Sequence, residues 1–205
     1  MSIDNSSSSL AIPSDIPAAG RGWCNSGIDV CKYWETKLLA RLRHAYRLSD
    51  VPIDNSIFGK GHTIRTLDVG GHHPIEDHPS DVMQQKPVVL MLHGYANGLG
   101  IWFKCIDPIV DAGFRVMCID LPGFGLSTRP KFPAGSDGIA AEDKFLESID
   151  AWRRQMQIKH FILCGHSFGA YLAASYAMRY STVGLVFISF ILCGHSVGAC
   201  LLSIL

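Results

Sequence analysis

The amino-acid sequence carries no excess of either charge. Its 205 residues include 18 lysines and arginines and 18 aspartates and glutamates, so the formal net charge at pH 7 is zero. Proteins that bind nucleic acids usually carry a basic excess that neutralises phosphate groups. We therefore expect no nucleic-acid partner.

The sequence also lacks the patterns of metal sites and of secretion. Its seven cysteines are odd in number and form no CxxC pair, and its nine histidines show no metal-ligand spacing. Residues 1–20 are rich in serine and contain no apolar core of a signal peptide. We therefore expect a cytoplasmic protein in a reducing compartment, without a metal or a cofactor.

Composition and hydrophobic pattern divide the chain into four regions. They are a disordered terminus (1–20), a basic amphipathic helix with loops (21–85), a core (86–189) and a repeated segment (190–205). With 48% hydrophobic residues, the chain has ample material for a buried core.

A helix is predicted over 31–48, and a strand is expected at 63–69. The apolar residues of the helix recur at near-helical spacing: Trp34, Leu38, Leu42 and Tyr46.

From residue 87 the pattern alternates between strands and helices. Continuous apolar runs at 87–93, 114–120 and 161–164 predict strands that are buried on both faces. The intervening segments 101–112 and 140–156 predict crossover helices, which return the chain to a parallel neighbour. The expected class is therefore α/β, with three adjacent parallel strands and flanking helices.

Residues 165–169 read Gly-His-Ser-Phe-Gly, a G-x-S-x-G pentapeptide. It follows the apolar strand at 161–164 and precedes a predicted helix at 170–180. A glycine-rich structural turn would give the same pattern, but the strand and helix on either side favour a nucleophile elbow. Ser167 is therefore the candidate nucleophile, and Gly165 and Gly169 leave room for the close approach of strand and helix.

A second motif, His93-Gly94-Tyr95, ends the first predicted strand. The backbone N–H groups of Tyr95 and Phe168 are the candidate oxyanion hole, because both follow strands that end at the same edge. The glycine-rich turn at 120–127 lacks the spacing of a phosphate-binding loop, so we interpret it as a structural loop near the site.

Four longer segments carry a family resemblance: HGYANGLGIW (93–102), DLPGFGLSTRPKF (120–132), FLESIDAWRRQM (145–156) and GHSFGAYLAASYAMRY (165–180). They resemble the lipid-acting branch of the α/β-hydrolase superfamily. That branch contains a lipid-droplet lipase coactivator, also described as a lysophosphatidic acid acyltransferase, and an N-acyl-phosphatidylethanolamine lysophospholipase. The resemblance implies a serine ester hydrolase or acyltransferase that acts on lipids. The coactivator has asparagine where Ser167 stands, so this chain resembles the hydrolase-competent paralogue there.

The sequence departs from that family after Ser167. The family's triad runs serine, acid, histidine along the chain. No acid follows Asp150, and the only histidine after Ser167 is His195. The segment FILCGHSFGA (161–170) instead recurs as FILCGHSVGA (190–199) with a single change. A local duplication or a splicing artefact explains two short copies better than a solenoid. We expect a C-terminally truncated α/β-hydrolase with impaired catalysis, and no second active site at 194–198.

Two further interpretations remain open. Residues 21–47 carry Trp23, Trp34 and a basic excess, which suits a peripheral contact with a lipid-droplet or membrane surface. The same pattern fits a helix that simply covers the sheet. A non-catalytic lipid-surface module, binding a lipase or a lipid-droplet protein, is therefore the alternative function. The uncharged segment 183–205 is long enough to span a bilayer, but its glycines, serines and His195 disfavour that.

Overall fold

A mixed sheet forms the centre of the fold. The computed structural model describes residues 27–71, 86–132, 138–181 and 184–190, the last of these as backbone. Within these residues the sheet has six strands in the order β1-β2-β4-β3-β5-β6. They are β1 (Tyr46–Pro52), β2 (Thr63–Val69), β3 (Val88–Leu92), β4 (Arg115–Ile119), β5 (His160–His166) and β6 (Gly184–Phe190).

Helices cover the sheet and connect its strands. The described helices are α1 (Ile28–Leu39), α2 (Asn55–Phe58), a 3-10 helix (Leu99–Trp102) that continues into α3 (Phe103–Asp111), α4 (Gly138–Gln155) and α5 (Phe168–Arg179). Two apolar clusters result. One contains Leu90 and Trp152, and the other contains Met91 and Ile106. Because successive side chains of a strand point to opposite faces, neighbouring Leu90 and Met91 fall into different clusters.

The predicted parallel strands are confirmed. β3 lies between β4 and β5 and pairs with both in parallel, and β6 continues the parallel pairing on the far side of β5. Every residue of β3 is buried, as its continuous run of valine, leucine and methionine predicts for a strand covered on both faces. The predicted strand at 63–69 and the three predicted helices at 101–112, 140–156 and 170–180 are also present, with shifted ends.

The helix predicted over 31–48 is wrong in its second half. α1 ends at Leu39, and β1 pairs residue by residue with antiparallel β2, from Tyr46 opposite Val69 to Pro52 opposite Thr63. Within β1, partly buried Tyr46 and Leu48 flank exposed Arg47, which is the alternation of a strand. The helical spacing of apolar residues was therefore overridden by pairing with a distant strand.

None of the helices described in the structure is long and apolar enough to cross a membrane. Residues 184–190, which begin the segment considered as a membrane span, form β6. The rest of that segment, the repeated elbow at 194–198, the terminus at 1–20 and Trp23 lie outside the described residues.

Candidate active site

Ser167 occupies a sharp turn between β5, which ends at His166, and α5, which begins at Phe168. Its backbone has φ 52° and ψ −116°, a conformation that L residues rarely adopt. Its side chain is exposed at the carboxyl end of a parallel strand. Strain of this kind persists only where the surrounding structure enforces it, and it is typical of a nucleophile elbow.

Close backbone contacts on both sides enforce the turn. A Cβ atom at Gly165 would overlap the backbone of Gly169, and one at Gly169 would overlap the carbonyl oxygens of Leu92 and His93. Only glycine therefore allows α5 to begin directly against the end of β3. This contact places the N–H groups at the start of α5 beside the loop that follows β3.

Hydrogen bonds of His93 shape that loop. His93 is fully buried; its Nδ1 lies 2.7 Å from the carbonyl oxygen of Gly94, and its Nε2 accepts the backbone N–H of Leu121 at 2.9 Å. The Leu121 contact leaves the ring proton on Nδ1, where it is donated to Gly94. Burial lowers the pKa of His93, which favours this neutral form.

The rings of the two candidate oxyanion residues contact each other and a third ring. The centroids of Tyr95 and Phe168 are 6.5 Å apart, and Phe124 lies 5.5 Å from Tyr95 and 6.5 Å from Phe168. The structure thus brings Tyr95 and Phe168 together beside Ser167. Phe124 comes from the glycine-rich turn at 120–127, so that turn also borders the site.

Comparison with known proteins agrees with this geometry. Residues 87–199 match the family described as the alpha/beta hydrolase fold, which is more than half of the chain. The chain belongs to the α/β-hydrolase family.

Its relatives by sequence include three animal proteins. An abhydrolase domain-containing protein, abhd-5.2, of Caenorhabditis elegans is 39% identical over 149 residues, 71% of this chain and 30% of that protein. A human (lyso)-N-acylphosphatidylethanolamine lipase is 44% identical over 92 residues, 45% of this chain and 26% of the lipase. A rat 1-acylglycerol-3-phosphate O-acyltransferase is 34% identical over 146 residues, 71% of this chain and 36% of the acyltransferase. The chain thus spans about a third or less of the length of these relatives.

Solved structures with the same fold include a bacterial membrane phospholipase A. It has a TM-score of 0.55 and 22% identity, and the match covers 80% of this chain and 44% of the phospholipase. Epoxide hydrolase A of Mycobacterium thermoresistibile also has a TM-score of 0.55, with 19% identity and coverage of 71% and 39%. At these identities the likeness shows the fold alone.

A buried carboxylate supports the site of this α/β-hydrolase, and sequence reasoning missed it. Asp120, only 2% exposed, accepts the backbone N–H groups of Leu99 at 2.6 Å and Leu126 at 2.7 Å. Burial raises its pKa to about 6, although the two N–H groups oppose the shift. An aspartate at the end of an apolar strand is the sequence signal, but its partners lie in loops whose approach the sequence does not show.

The ring of His166, next to the nucleophile, packs against Trp102 and the loop that follows β3. Its ring lies edge-on to Trp102 with centroids 6.5 Å apart, and a Cβ atom at Gly94 would lie 2.8 Å from its Nδ1. It thus packs beneath the loop that follows β3. Among the described residues no base is hydrogen-bonded to the Ser167 hydroxyl.

The structure also has a surface cavity of about 430 Å³ between the end of β1 and the end of α4. Its lining includes Asp54 and Arg154 but none of the residues at the elbow. The side chain of Asp54 caps α2 by accepting the N–H of Ser56 at 2.9 Å. Because the Asp54 carboxylate is already engaged as the cap of α2, we place the candidate active site at Ser167 and not in this cavity.

Proposed function

We propose that this chain carries the nucleophile of a serine ester hydrolase or acyltransferase that acts on lipids, in lysophospholipid or acylglycerol metabolism. The strained, exposed Ser167 on a strand–turn–helix elbow is the observation that supports this most. The names of the relatives, a lipase and an acyltransferase of lipid substrates, support the substrate class. An elbow of this form serves acyl transfer because it holds the hydroxyl clear of the sheet.

The proposed chemistry proceeds by an acyl-enzyme. The Ser167 oxygen attacks the ester carbonyl carbon, and the carbonyl oxygen becomes an oxyanion that accepts the N–H groups of Tyr95 and Phe168. Collapse of the tetrahedral intermediate expels the alcohol and leaves the acyl group on Ser167. Attack by water then gives hydrolysis, and attack by a lipid hydroxyl gives acyl transfer. Both halves need a base to accept the proton of the attacking hydroxyl.

We also propose that residues 21–47 contact lipid-droplet or membrane surfaces peripherally. On α1, Trp34 is 51% exposed and Ile28 is 55% exposed, with Lys32 and Lys37 on the same helix. The side chain of Glu35 pairs with Arg65 of β2 at 2.6 Å and fastens α1 to the sheet. Exposed aromatic and basic residues on one fastened helix suit the interface of an anionic membrane.

Some of the basic residues within 21–47 form ion pairs inside the protein. Arg43 lies beyond the end of α1 and pairs with Asp111 of α3 at 2.5 Å. The lipid contact therefore depends on the tryptophan and lysines of α1 more than on the arginines that follow. A non-catalytic lipid-surface module that binds a lipase or a lipid-droplet protein is the second candidate function. The same exposed residues favour it, together with the lack of a described base at Ser167.

A fluorophosphonate probe tests the nucleophile in the purified chain. We expect slow labelling that is lost in Ser167→Ala and kept in Ser196→Ala, which removes the equivalent serine of the repeated segment. Labelling that persists in Ser167→Ala, or that Ser196→Ala abolishes, would contradict the assignment of Ser167. Stoichiometric lipid binding without any labelling of Ser167 would favour the second candidate function.

A further inference from the structure

The side chain of Phe168 stands at the centre of a group of aromatic rings. Its centroid lies 5.4 Å from that of Phe145 and 6.5 Å from those of both Tyr95 and Phe124. Tyr171, one turn further along α5, is stacked on it at 6.3 Å with an angle of 18° between the ring planes. The other residues of the elbow pentapeptide are two glycines, His166 and Ser167, so Phe168 carries its only apolar side chain.

The rings continue away from the elbow in a row. Phe132 lies 5.1 Å from Phe145, and Phe58 of α2 lies 5.3 Å from Phe132. We call this the aromatic row; it comprises Tyr95, Phe124, Phe168, Tyr171, Phe145, Phe132 and Phe58. All of its phenylalanines except Phe145 are only partly buried, with one side packed on the core. The row therefore retains apolar surface that faces outward.

The open end of the row lies at the nucleophile. Tyr95 is 72% exposed and Tyr171 is 53% exposed, and the ring of each contacts the ring of Phe168. The hydroxyl of Tyr171 donates to Glu142, so its polar end is engaged away from the stacked ring face. The proposed oxyanion donor is the backbone N–H of Phe168, so an ester carbonyl bound there and the ring at the centre of the row belong to the same residue. An acyl chain that extends from this carbonyl along the row would contact aromatic rings, because the row contains no charged side chain.

We propose that the aromatic row binds the acyl chain of the substrate and that Phe168 sets the preference for long chains. This inference rests on the proposed function, because the row starts where an ester carbonyl would meet Ser167. Each methylene buried against the row adds roughly fourfold to binding when its burial is complete. Affinity should therefore rise steadily with chain length.

The repeated segment supplies a natural test substitution. The one difference between its first ten residues and the elbow segment is Val197 in place of Phe168. Phe168→Val therefore creates a pentapeptide that the chain already contains, and it keeps the backbone N–H of the proposed oxyanion hole. It removes only the ring at the centre of the row.

Equilibrium dialysis of radiolabelled methyl esters of butanoic, hexanoic, octanoic and decanoic acid tests the proposal on the full chain. We expect affinity to rise by about tenfold for each two-carbon step. Phe168→Val should weaken decanoate binding by about tenfold or more and butanoate binding by less than about threefold. Phe103→Val, which removes a half-buried ring of α3 outside the row, is the matched control and should leave the series unchanged.

A second pair of variants covers the case in which Phe168→Val does not fold. Tyr171 is exposed, so Tyr171→Ala should fold and weaken decanoate binding, whereas Tyr171→Phe keeps the ring and should bind as the parent chain does. Equal chain-length dependence in the parent chain, Phe168→Val and Tyr171→Ala would overturn the proposal, as would a parent chain without such dependence.

Ser167→Ala should keep the chain-length dependence of binding while losing fluorophosphonate labelling. Loss of labelling alone therefore tests the proposed function, and loss of chain-length dependence alone tests the aromatic row.

Discussion

The carboxylate of Asp120 accepts the backbone N–H of Leu99 at 2.6 Å, which joins the end of β4 to the loop that follows β3. Its other oxygen accepts the N–H of Leu126, so two loops that border Ser167 are fastened to one buried acid. The loop with Tyr95 is therefore positioned by a charge that water does not reach.

Burial of Asp120 predicts an unusual pH dependence of stability. Its pKa is about 6 in the folded chain against an ordinary 3.8. The folded state then holds the proton more tightly than the unfolded state between these values, so the stability from this group is fully present below pH 4 and is lost as pH rises through 6. We expect its contribution to the free energy of unfolding to be about 2 kcal/mol greater at pH 4 than at pH 7.

Urea denaturation of the parent chain and of Asp120→Asn measures this contribution. The asparagine does not titrate, so other acids cancel in the difference between the two chains. The free energy of unfolding of the parent chain, relative to Asp120→Asn, should increase as pH falls from 7 to 4. A difference that stays constant or decreases over this range would show that the pKa of Asp120 is not raised by folding.

The backbone strain at Ser167 predicts a stabilising substitution at the site itself. A non-glycine residue at φ 52° and ψ −116° costs about 1–3 kcal/mol. Ser167→Gly relieves this strain at some cost in chain entropy, and we expect the free energy of unfolding to increase by roughly 1 kcal/mol. Ser167→Ala keeps the Cβ atom and should not stabilise the chain. Chemical denaturation checks both, and equal stabilities would show that the turn is relaxed.

The contact between Gly169 and β3 predicts the opposite effect. In Gly169→Ala the new methyl group overlaps the carbonyl oxygens of Leu92 and His93, so either the start of α5 or the end of β3 must move. We expect a loss of stability of about 3 kcal/mol or more, in the range of severe overpacking. Gly138→Ala is the control, because a Cβ atom there meets open space at the start of α4. Comparable melting temperatures for the two variants would contradict the close packing.

The exposed tryptophan of α1 predicts the strength of the lipid contact. Burial of Trp34 in an interface removes a large apolar area from water, so Trp34→Ala should weaken binding to anionic liposomes by about tenfold. Met178, 77% exposed on α5, is a matched exposed residue, and Met178→Ala should bind as the parent chain does. Co-sedimentation measures both. Equal binding by the parent chain and Trp34→Ala would place the contact elsewhere.

The sequence predicts the parallel centre of this fold well and its edge poorly. β3, β4 and β5 are covered on both faces, so each is a continuous apolar run that stands out locally. β1 is an edge strand with polar residues at several positions, and its identity depends on pairing with β2. Nothing local separates it from the end of a helix.

The same distinction applies to the site. Ser167 and its glycines could be recognised because the elbow is a contiguous motif whose spacing carries its geometry. The aromatic row could not be recognised in this way. Phe58 and Phe168 are 110 positions apart in the printed sequence, and only the rings of Phe132 and Phe145 connect them in the folded chain. Asp120 is visible as a residue, but its raised pKa arises from burial by loops that the sequence does not place.

The polypeptide of residues 1–205 is predicted to have little esterase turnover of its own. Ser167 lies on an exposed turn, and the N–H groups of Tyr95 and Phe168 are the proposed oxyanion hole, but a serine hydroxyl without a base is a poor nucleophile at neutral pH. In a triad enzyme, loss of the histidine lowers kcat by about 10⁶-fold, and the oxyanion hole and binding still give roughly 10³ to 10⁴ over water. His166 does not replace the base, because its ring packs against Gly94 and Trp102.

Hydrolysis of a short p-nitrophenyl ester, compared between the parent chain and Ser167→Ala, measures the remaining esterase activity. We expect rates within about tenfold of each other. Ser196→Ala should match the parent chain, since the sequence contains a single His-Gly-Tyr motif. A rate typical of serine hydrolases that depends on Ser167 would show that another residue of this polypeptide acts as the base.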